Sequence, residues 1–254
     1  MPTTTPLPVA VALVTGSGRN IGREIALSLA ASGVAIAVNV RSSVAEGQAV
    51  VDEIKAGGGH ALLVVADVTD EEAVAAMVEK IGHEWGRLDI VVNNAAVRKE
   101  SPVDKISAAD WRSTLAVILD GAFFCTQAAL PLLRQSGRGA VINIGGMTAH
   151  TGAAQRAHVV TAKAGLGGLT RALAHDLSPD GITVNCVSPG MVETKRESSS
   201  SSTTPNHHAK HQPLLNRRGT AAEIAASVSW LAGPSARFIT GQTIHVNGGT
   251  YLST

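Results

Sequence analysis

Short runs of β-branched and aliphatic residues alternate with longer amphipathic runs along most of this 254-residue chain. The short runs span residues 9–15, 34–40, 61–66, 88–93, 140–144, 183–187 and 242–246. Most are continuously apolar, the pattern of strands covered on both faces. The longer runs, 21–31, 44–56, 71–85, 108–134, 158–177 and 221–231, carry apolar residues at helical spacing. This alternation predicts crossover helices between parallel strands, and so an α/β fold: a doubly wound seven-stranded parallel sheet with helices on both faces. Asp70 and Thr220 stand where helix N-caps belong, and Glu223 three residues after Thr220 has the capping-box spacing. Gly33 and Gly57 fall at helix ends, and Pro131 is expected to end or kink the fourth helix. No internal repeat marks a second domain, so residues 1–254 read as one.

Bulk composition narrows the function. Hydrophobic residues make up 44% and charged residues 16%, a globular balance, and the net charge of +1 gives no electrostatic argument for nucleic acid or an anionic membrane. No bilayer-length apolar stretch lacks Gly, Pro or polar interruptions, and residues 1–6 resemble no signal peptide. Cys125 and Cys186 lie in apolar runs without C-x-x-C spacing and read as buried thiols in a reducing compartment, so a soluble cytoplasmic protein is expected. A Ser-rich segment at about 195–215 interrupts the pattern and reads as a flexible substrate lid beyond the C-terminal strand ends, or as a solvated insertion. Its His207 and His211 are four apart but lack a helical pattern or an adjacent acidic partner, so no metal is expected.

The segment Thr15-Gly16-Ser17-Gly18-Arg19-Asn20-Ile21-Gly22 follows the first strand and opens the first helix. Backbone N–H groups at such a junction can face a pyrophosphate where no Cβ intervenes. Gly16, Ser17, Arg19, Asn20, Ile21 and Gly22 are therefore candidate cofactor contacts. Asn20 tolerates left-handed backbone better than other non-glycine residues, so the turn can survive it. The second strand ends Val38-Asn39-Val40-Arg41 without the carboxylate usual at NAD-binding sites. Arg41 and Arg19 are placed to converge on a 2′-phosphate, so NADP(H) is expected over NAD(H), which remains possible.

Further motifs extend to the C-terminus: Asp67-Val68, Asn93-Asn94-Ala95-Ala96, His158-Val159-Val160-Thr161-Ala162-Lys163, Asn185-Cys186-Val187-Ser188-Pro189-Gly190-Met191-Val192-Glu193-Thr194, Arg217-Arg218-Gly219-Thr220 and Val246-Asn247-Gly248-Gly249. Together with the glycine loop they resemble the short-chain dehydrogenase/reductase family, classical type, from about residue 9 to 249. The resemblance implies a Rossmann-type fold and an NAD(P)-dependent oxidoreductase acting on a small-molecule carbonyl or alcohol. It adds Asp67, Val68, Asn94, Ala95, Lys163, Pro189, Gly190, Val192 and Thr194 to the cofactor contacts. It also implies a homotetramer or dimer.

The same resemblance exposes a departure. The family's proton-donating tyrosine aligns with Val159, its serine with Gly146 and its asparagine with Ile118; only Lys163 survives. The lone tyrosine, Tyr251, is near the C-terminus. A positioned acid or base contributes roughly 10²–10⁴ in rate, so the family's ordinary mechanism is not available. Lys163 is the first candidate catalytic residue and His158, beside Val159, the second. Three readings follow: an oxidoreductase with a non-standard proton source, a lyase or hydrolase on the same scaffold, or a catalytically inactive nucleotide-binding protein.

Overall fold

The computed structural model describes residues 10–194 and 212–253. Its strands are β1 (Ala10–Val14), β2 (Val34–Val40), β3 (Ala61–Val65), β4 (Ile90–Asn93), β5 (Ala140–Ile144), β6 (Thr183–Pro189) and β7 (Thr243–Val246). They form one sheet in the order β3-β2-β1-β4-β5-β6-β7, with every pairing parallel. The helices are α1 (Asn20–Ala31), α2 (Val44–Ala56), α3 (Glu71–Trp85), α4 (Ala108–Leu115), α5 (Gly121–Ser136), α6 (Thr148–Thr151), α7 (Ala157–Leu177) and α8 (Ala221–Ala232).

Alternate residues of the central strand feed two separate cores, because successive strand side chains point to opposite faces. Ala12 and Val14 pack with Ile25 of α1, Val50 of α2 and Val228 of α8. Val11 and Leu13 pack with Ile81 of α3, Leu133 of α5 and Leu177 of α7. Both faces of the sheet are thus dry, as the continuous apolar runs require. The strand order reverses between β1 and β4, so the crevice beyond their C-terminal ends is the natural ligand position of such a sheet.

Capping signals act as the sequence implies. The Asp70 carboxylate accepts from the N–H groups of Glu72 and Ala73 at 3.0 Å. Thr220 and Glu223 make a complete capping box on α8. The fourth predicted helix differs. It is divided into α4, a π-helical turn (Ala116–Asp120) and α5, which runs through Pro131 to Ser136. Gly121 explains why α5 can sit where it does: a Cβ there would lie 2.7 Å from Val68. Pro131 does not end the helix because it and Gln127, whose carbonyl it leaves without an N–H, are both on the exposed side. The continuous run 108–136 is by length and composition apolar enough to cross a membrane, although Gly121, Pro131 and charged residues interrupt it as the sequence showed, and it packs against α3, α7 and β4. Helix α6 was not foreseen. Of the Ser-rich segment at 195–215, only residues 212–215 fall within the described residues, and His207 and His211 lie outside them.

At the end of the sheet away from the crevice, buried Asp89 joins three elements. It accepts from Val11 N at 2.8 Å, from Arg87 Nε and Nη2 at 2.9 and 2.7 Å, and from Ser136 Oγ at 2.5 Å. Burial alone would raise its pKa, but the hydrogen bonds from Arg87, Ser136 and Val11 outweigh that and hold it below the usual carboxylate value. Removing one partner of a buried pair strands the others. Asp89→Ala should therefore lower unfolding stability by about 3 kcal/mol at pH 7 in urea denaturation. A depressed carboxylate pKa contributes stability above its unfolded value that is lost as pH falls through the folded value. The gap between wild type and variant should accordingly shrink below about pH 4, where the unfolded carboxylate takes up its proton.

Candidate active site

The crevice begins at the turn between β1 and α1. Gly16 has φ +62° and Asn20 has φ +50°, so the asparagine does adopt the left-handed backbone that its position demands. Arg19, the N-cap of α1, makes no side-chain cap hydrogen bond. The first N–H groups of α1 are therefore not consumed by a capping side chain, which suits a helix N-terminus that receives a pyrophosphate. Gly22 lets the helix close onto the turn: a Cβ there would sit 2.4 Å from Gly16 O and 2.5 Å from Asn94 Nδ2. Ser17 is turned inward, donating from Oγ to Val14 O at 2.8 Å. Ile21 is buried in the α1 core.

Side-chain amides lock this turn to its neighbours. Asn94 Nδ2 donates to Thr15 O at 2.8 Å and to Gly16 O at 3.0 Å, while Thr15 Oγ1 accepts from the N–H groups of Asn94 and Ala95. Asn39, buried in β2, accepts from Gly16 N at 3.3 Å and donates to Val64 O and Ala66 O across β3. The sequence reading did not assign Asn39 a role, although a polar residue inside the apolar run of β2 was the available signal.

At the adenosine end, Arg41 is exposed just beyond β2. Arg19 lies 3.9 Å from Glu46, a carboxylate on the first turn of α2 that the sequence reading overlooked. Asp67 accepts from Thr69 N and Oγ1 at 3.0 and 2.9 Å, and Val68 is buried beside Gly121. At the opposite end, Met147 N donates to Pro189 O at 2.9 Å and Gly190 N to Val246 O at 3.0 Å. Val192 bridges to Gly219, and Thr194 is the last residue described before residue 212.

Lys163 sits between these ends, its Nζ donating to Ile144 O at the end of β5. Burial pushes its pKa down from 10.5 to about 8; the Cys186 thiol works against that shift, while the cations Arg98 and Arg156 add to it. Val159 and Ile118 pack together with Ala122, Ala162 and Leu166 into a small apolar cluster of their own. Gly145 has no room for a side chain, since a Cβ would be 2.8 Å from Cys186 Sγ, whereas a Cβ at Gly146 would meet nothing within 4 Å. Lys163 thus has apolar neighbours on its own helix, Val159, Ala162 and Leu166.

His158 is buried, and its Nδ1 has no hydrogen-bond partner among the described residues. Burial lowers its pKa; the charges acting on it are Asp110, Arg156 and Lys99, so it feels the N-terminal turn of α4. Lys99 and Asp110 pair at 2.6 Å. An open apolar groove of about 430 Å³, lined by Leu119, Phe123, Phe124 and Leu169, lies between α5 and α7. Gly165 on its wall serves a contact within the chain, a Cβ there coming 3.0 Å from Leu119.

Comparison with known proteins accords with this geometry. The family model described as Enoyl-(Acyl carrier protein) reductase matches residues 16–251. The chain belongs to the short-chain dehydrogenase/reductase family. Among its family relatives, the 3-oxoacyl-[acyl-carrier-protein] reductase FabG of Staphylococcus aureus is 39% identical over 241 residues, covering 95% of this chain and 98% of that protein. The (2S)-[(R)-hydroxy(phenyl)methyl]succinyl-CoA dehydrogenase subunit BbsD of Thauera aromatica is 38% identical, covering 95% and 96%. A short chain dehydrogenase from Burkholderia cenocepacia J2315, solved in complex with NADP, superposes with a TM-score of 0.87 at 34% identity, covering 97% of this chain and 99% of that one.

The glycine turn yields a direct test. Gly22→Ala places a methyl group against backbone that cannot retreat without opening the turn. It should weaken NADPH binding at least tenfold in a fluorescence titration while far-UV circular dichroism still reports a folded chain.

Proposed function

We propose that the chain is an NADP(H)-dependent oxidoreductase that interconverts a small carbonyl compound and its alcohol, with Val159 in the place of the family's tyrosine and Lys163 as the proton-transferring group. The observation that carries this reading is the Lys163 amine, whose pKa burial lowers to about 8. An acid or base works best when its pKa lies near the operating pH, and an ordinary lysine is too weak an acid for the task. Reduced nicotinamide bound in the crevice would supply the hydride. In reduction, the Lys163 ammonium gives its proton to the substrate oxygen as negative charge develops there, and solvent restores it. In oxidation, the free amine accepts the alcohol proton.

Arg19 and Arg41 at the adenosine end support NADP(H), with NAD(H) as the weaker ligand, and the NADP-bound structural relative points the same way. The candidate contacts around the turn, at Asp67 and Val68, and at Pro189, Gly190, Val192 and Thr194 supply the remaining walls of that site. Exposed Phe123 beside the apolar groove supports a homo-oligomer, a tetramer or dimer. The free, buried thiols of Cys125 and Cys186 support a reducing, cytoplasmic setting.

A second reading has an observation of its own. Val159 and Ile118 are each other's packing partners, so the positions of two lost polar groups have become core. A nucleotide-binding subunit without turnover would tolerate that change, and one curated relative is itself named as a subunit.

Two measurements separate these readings. Lys163→Met should reduce NADPH-dependent carbonyl turnover by about 10² or more, and wild-type reduction should decline as pH rises through about 8 because the ammonium is lost. Oxidation should show the opposite limb. A rate independent of Lys163 would remove its assigned role. The triple variant V159Y/G146S/I118N should raise turnover if the crevice is otherwise intact, since Gly146 has room for a hydroxymethyl group. Tight NADPH binding without turnover in either protein would favour the non-catalytic subunit.

A further inference from the structure

The second strand ends without the carboxylate that a ribose 2′-hydroxyl usually meets at such a place, and Arg41 follows it. The folded chain returns a carboxylate to that end of the crevice from a different element. Glu46 belongs to the first turn of α2.

Packing fixes where this carboxylate stands. A Cβ at Gly47 would come within 2.6 Å of Leu63 Cδ1 and 2.9 Å of Val40 Cγ1, so the missing side chain lets α2 settle closely on β2 and β3. A Cβ at Gly18 would lie 3.0 Å from Val40 Cγ1 and 3.3 Å from Glu46 Cβ. The glycine turn and the start of α2 are therefore neighbours. From this position Glu46 Oε1 lies 3.9 Å from Arg19 Nη1, with the two side chains 39% and 53% exposed. An acidic residue in the first turn of a helix has an ordinary explanation, its favourable interaction with the helix dipole. That explanation accounts for Glu46 on α2 but makes no use of Arg19 or of the turn beneath it.

We propose that Glu46 is a cofactor-specificity residue. It narrows the preference for NADP(H) by competing with the 2′-phosphate for Arg19, and by offering its carboxylate to the 2′-hydroxyl of NAD(H). The 2′-phosphate and the carboxylate are both anions, so a phosphate drawn to Arg19 must displace Glu46 and then bear its repulsion at short range. A 2′-hydroxyl asks for an acceptor instead, and a carboxylate can accept from it while remaining beside Arg19. One side chain thus acts with opposite sign on the two nucleotides. NAD(H) comes closer to NADP(H) in affinity than the two arginines alone would allow.

This inference rests on the nicotinamide-nucleotide part of the proposed function and needs no turnover, so the two can fail separately. NADPH and NADH are titrated by fluorescence, without substrate, into wild type and Glu46→Gln, a variant that keeps the side-chain shape and removes its charge. NADPH should bind the variant more tightly and NADH more weakly. Their affinity ratio should move toward NADPH by about fivefold or more, the size expected when an exposed ion pair and a charge-assisted hydrogen bond both change. Added salt should shrink the NADPH gain, and in an Arg19→Gln background the same substitution should change NADPH affinity less. A misfolded variant would lose both nucleotides together, and a dipole role alone would lower thermal stability and leave the ratio in place. A ratio that falls short of that shift, or moves toward NADH, overturns the proposal and leaves the reductase reading standing. The expected shift in a protein that reduces no carbonyl supports Glu46 as the specificity residue and removes the reductase reading. A wild type that binds neither nucleotide overturns both.

Discussion

Backbone segments from three parallel strands converge at the crevice more closely than side chains allow, and buried amides hold them there. Asn39 reaches from β2 to the turn after β1 and to the end of β3, and Asn94 closes the β4 side of the same turn. Each satisfies polar backbone that a parallel sheet leaves unpaired at its strand ends. The turn could not otherwise keep Gly16 and Asn20 in left-handed conformations, which cost little only when the surroundings determine them. Helix α1 then starts with its N–H groups aimed outward from the sheet, so the nucleotide site follows from a requirement of folding before any ligand is considered.

From that anchor the crevice runs to the neighbourhood of Lys163. Lys163 and Val159 are four residues apart on α7, while Gly145 and Gly146 follow the end of β5. Gly145 is there because Cys186 fills the space its side chain would take, and Gly146 leaves open space. The apolar cluster around Val159 and Ile118 withdraws solvent and hydrogen-bonding groups from the same helix.

Continuous apolar strands made the sheet readable from sequence, because strands buried on both faces leave few positions for polar residues. The glycine turn was readable for a related reason: its backbone geometry restricts residue type. The division of the 108–136 run was not readable. It depends on Gly121 meeting Val68, a contact between distant segments that periodicity does not encode. Glu46 beside Arg19 escaped for the same reason. His158 was singled out by adjacency to Val159 in sequence, yet consecutive helix residues point about 100° apart, and Asp110 and Lys99 act on His158 and not on Lys163.

Burying an amine also shapes how the folded state responds to alkali. Between about pH 8 and 10.5 the unfolded chain binds the Lys163 proton more tightly than the folded one, so this residue makes folding more favourable as pH rises through that window. Below it the full cost of the buried ammonium, roughly 3 kcal/mol, is carried by the fold. The buried thiols work in reverse. Cys125 is pushed up from 9.0 to about 12 and Cys186 is also raised, so each contributes stability below pH 9 that is lost above it. These opposed groups meet near pH 9, where the gain from the deprotonating Lys163 gives way to the loss from the thiols.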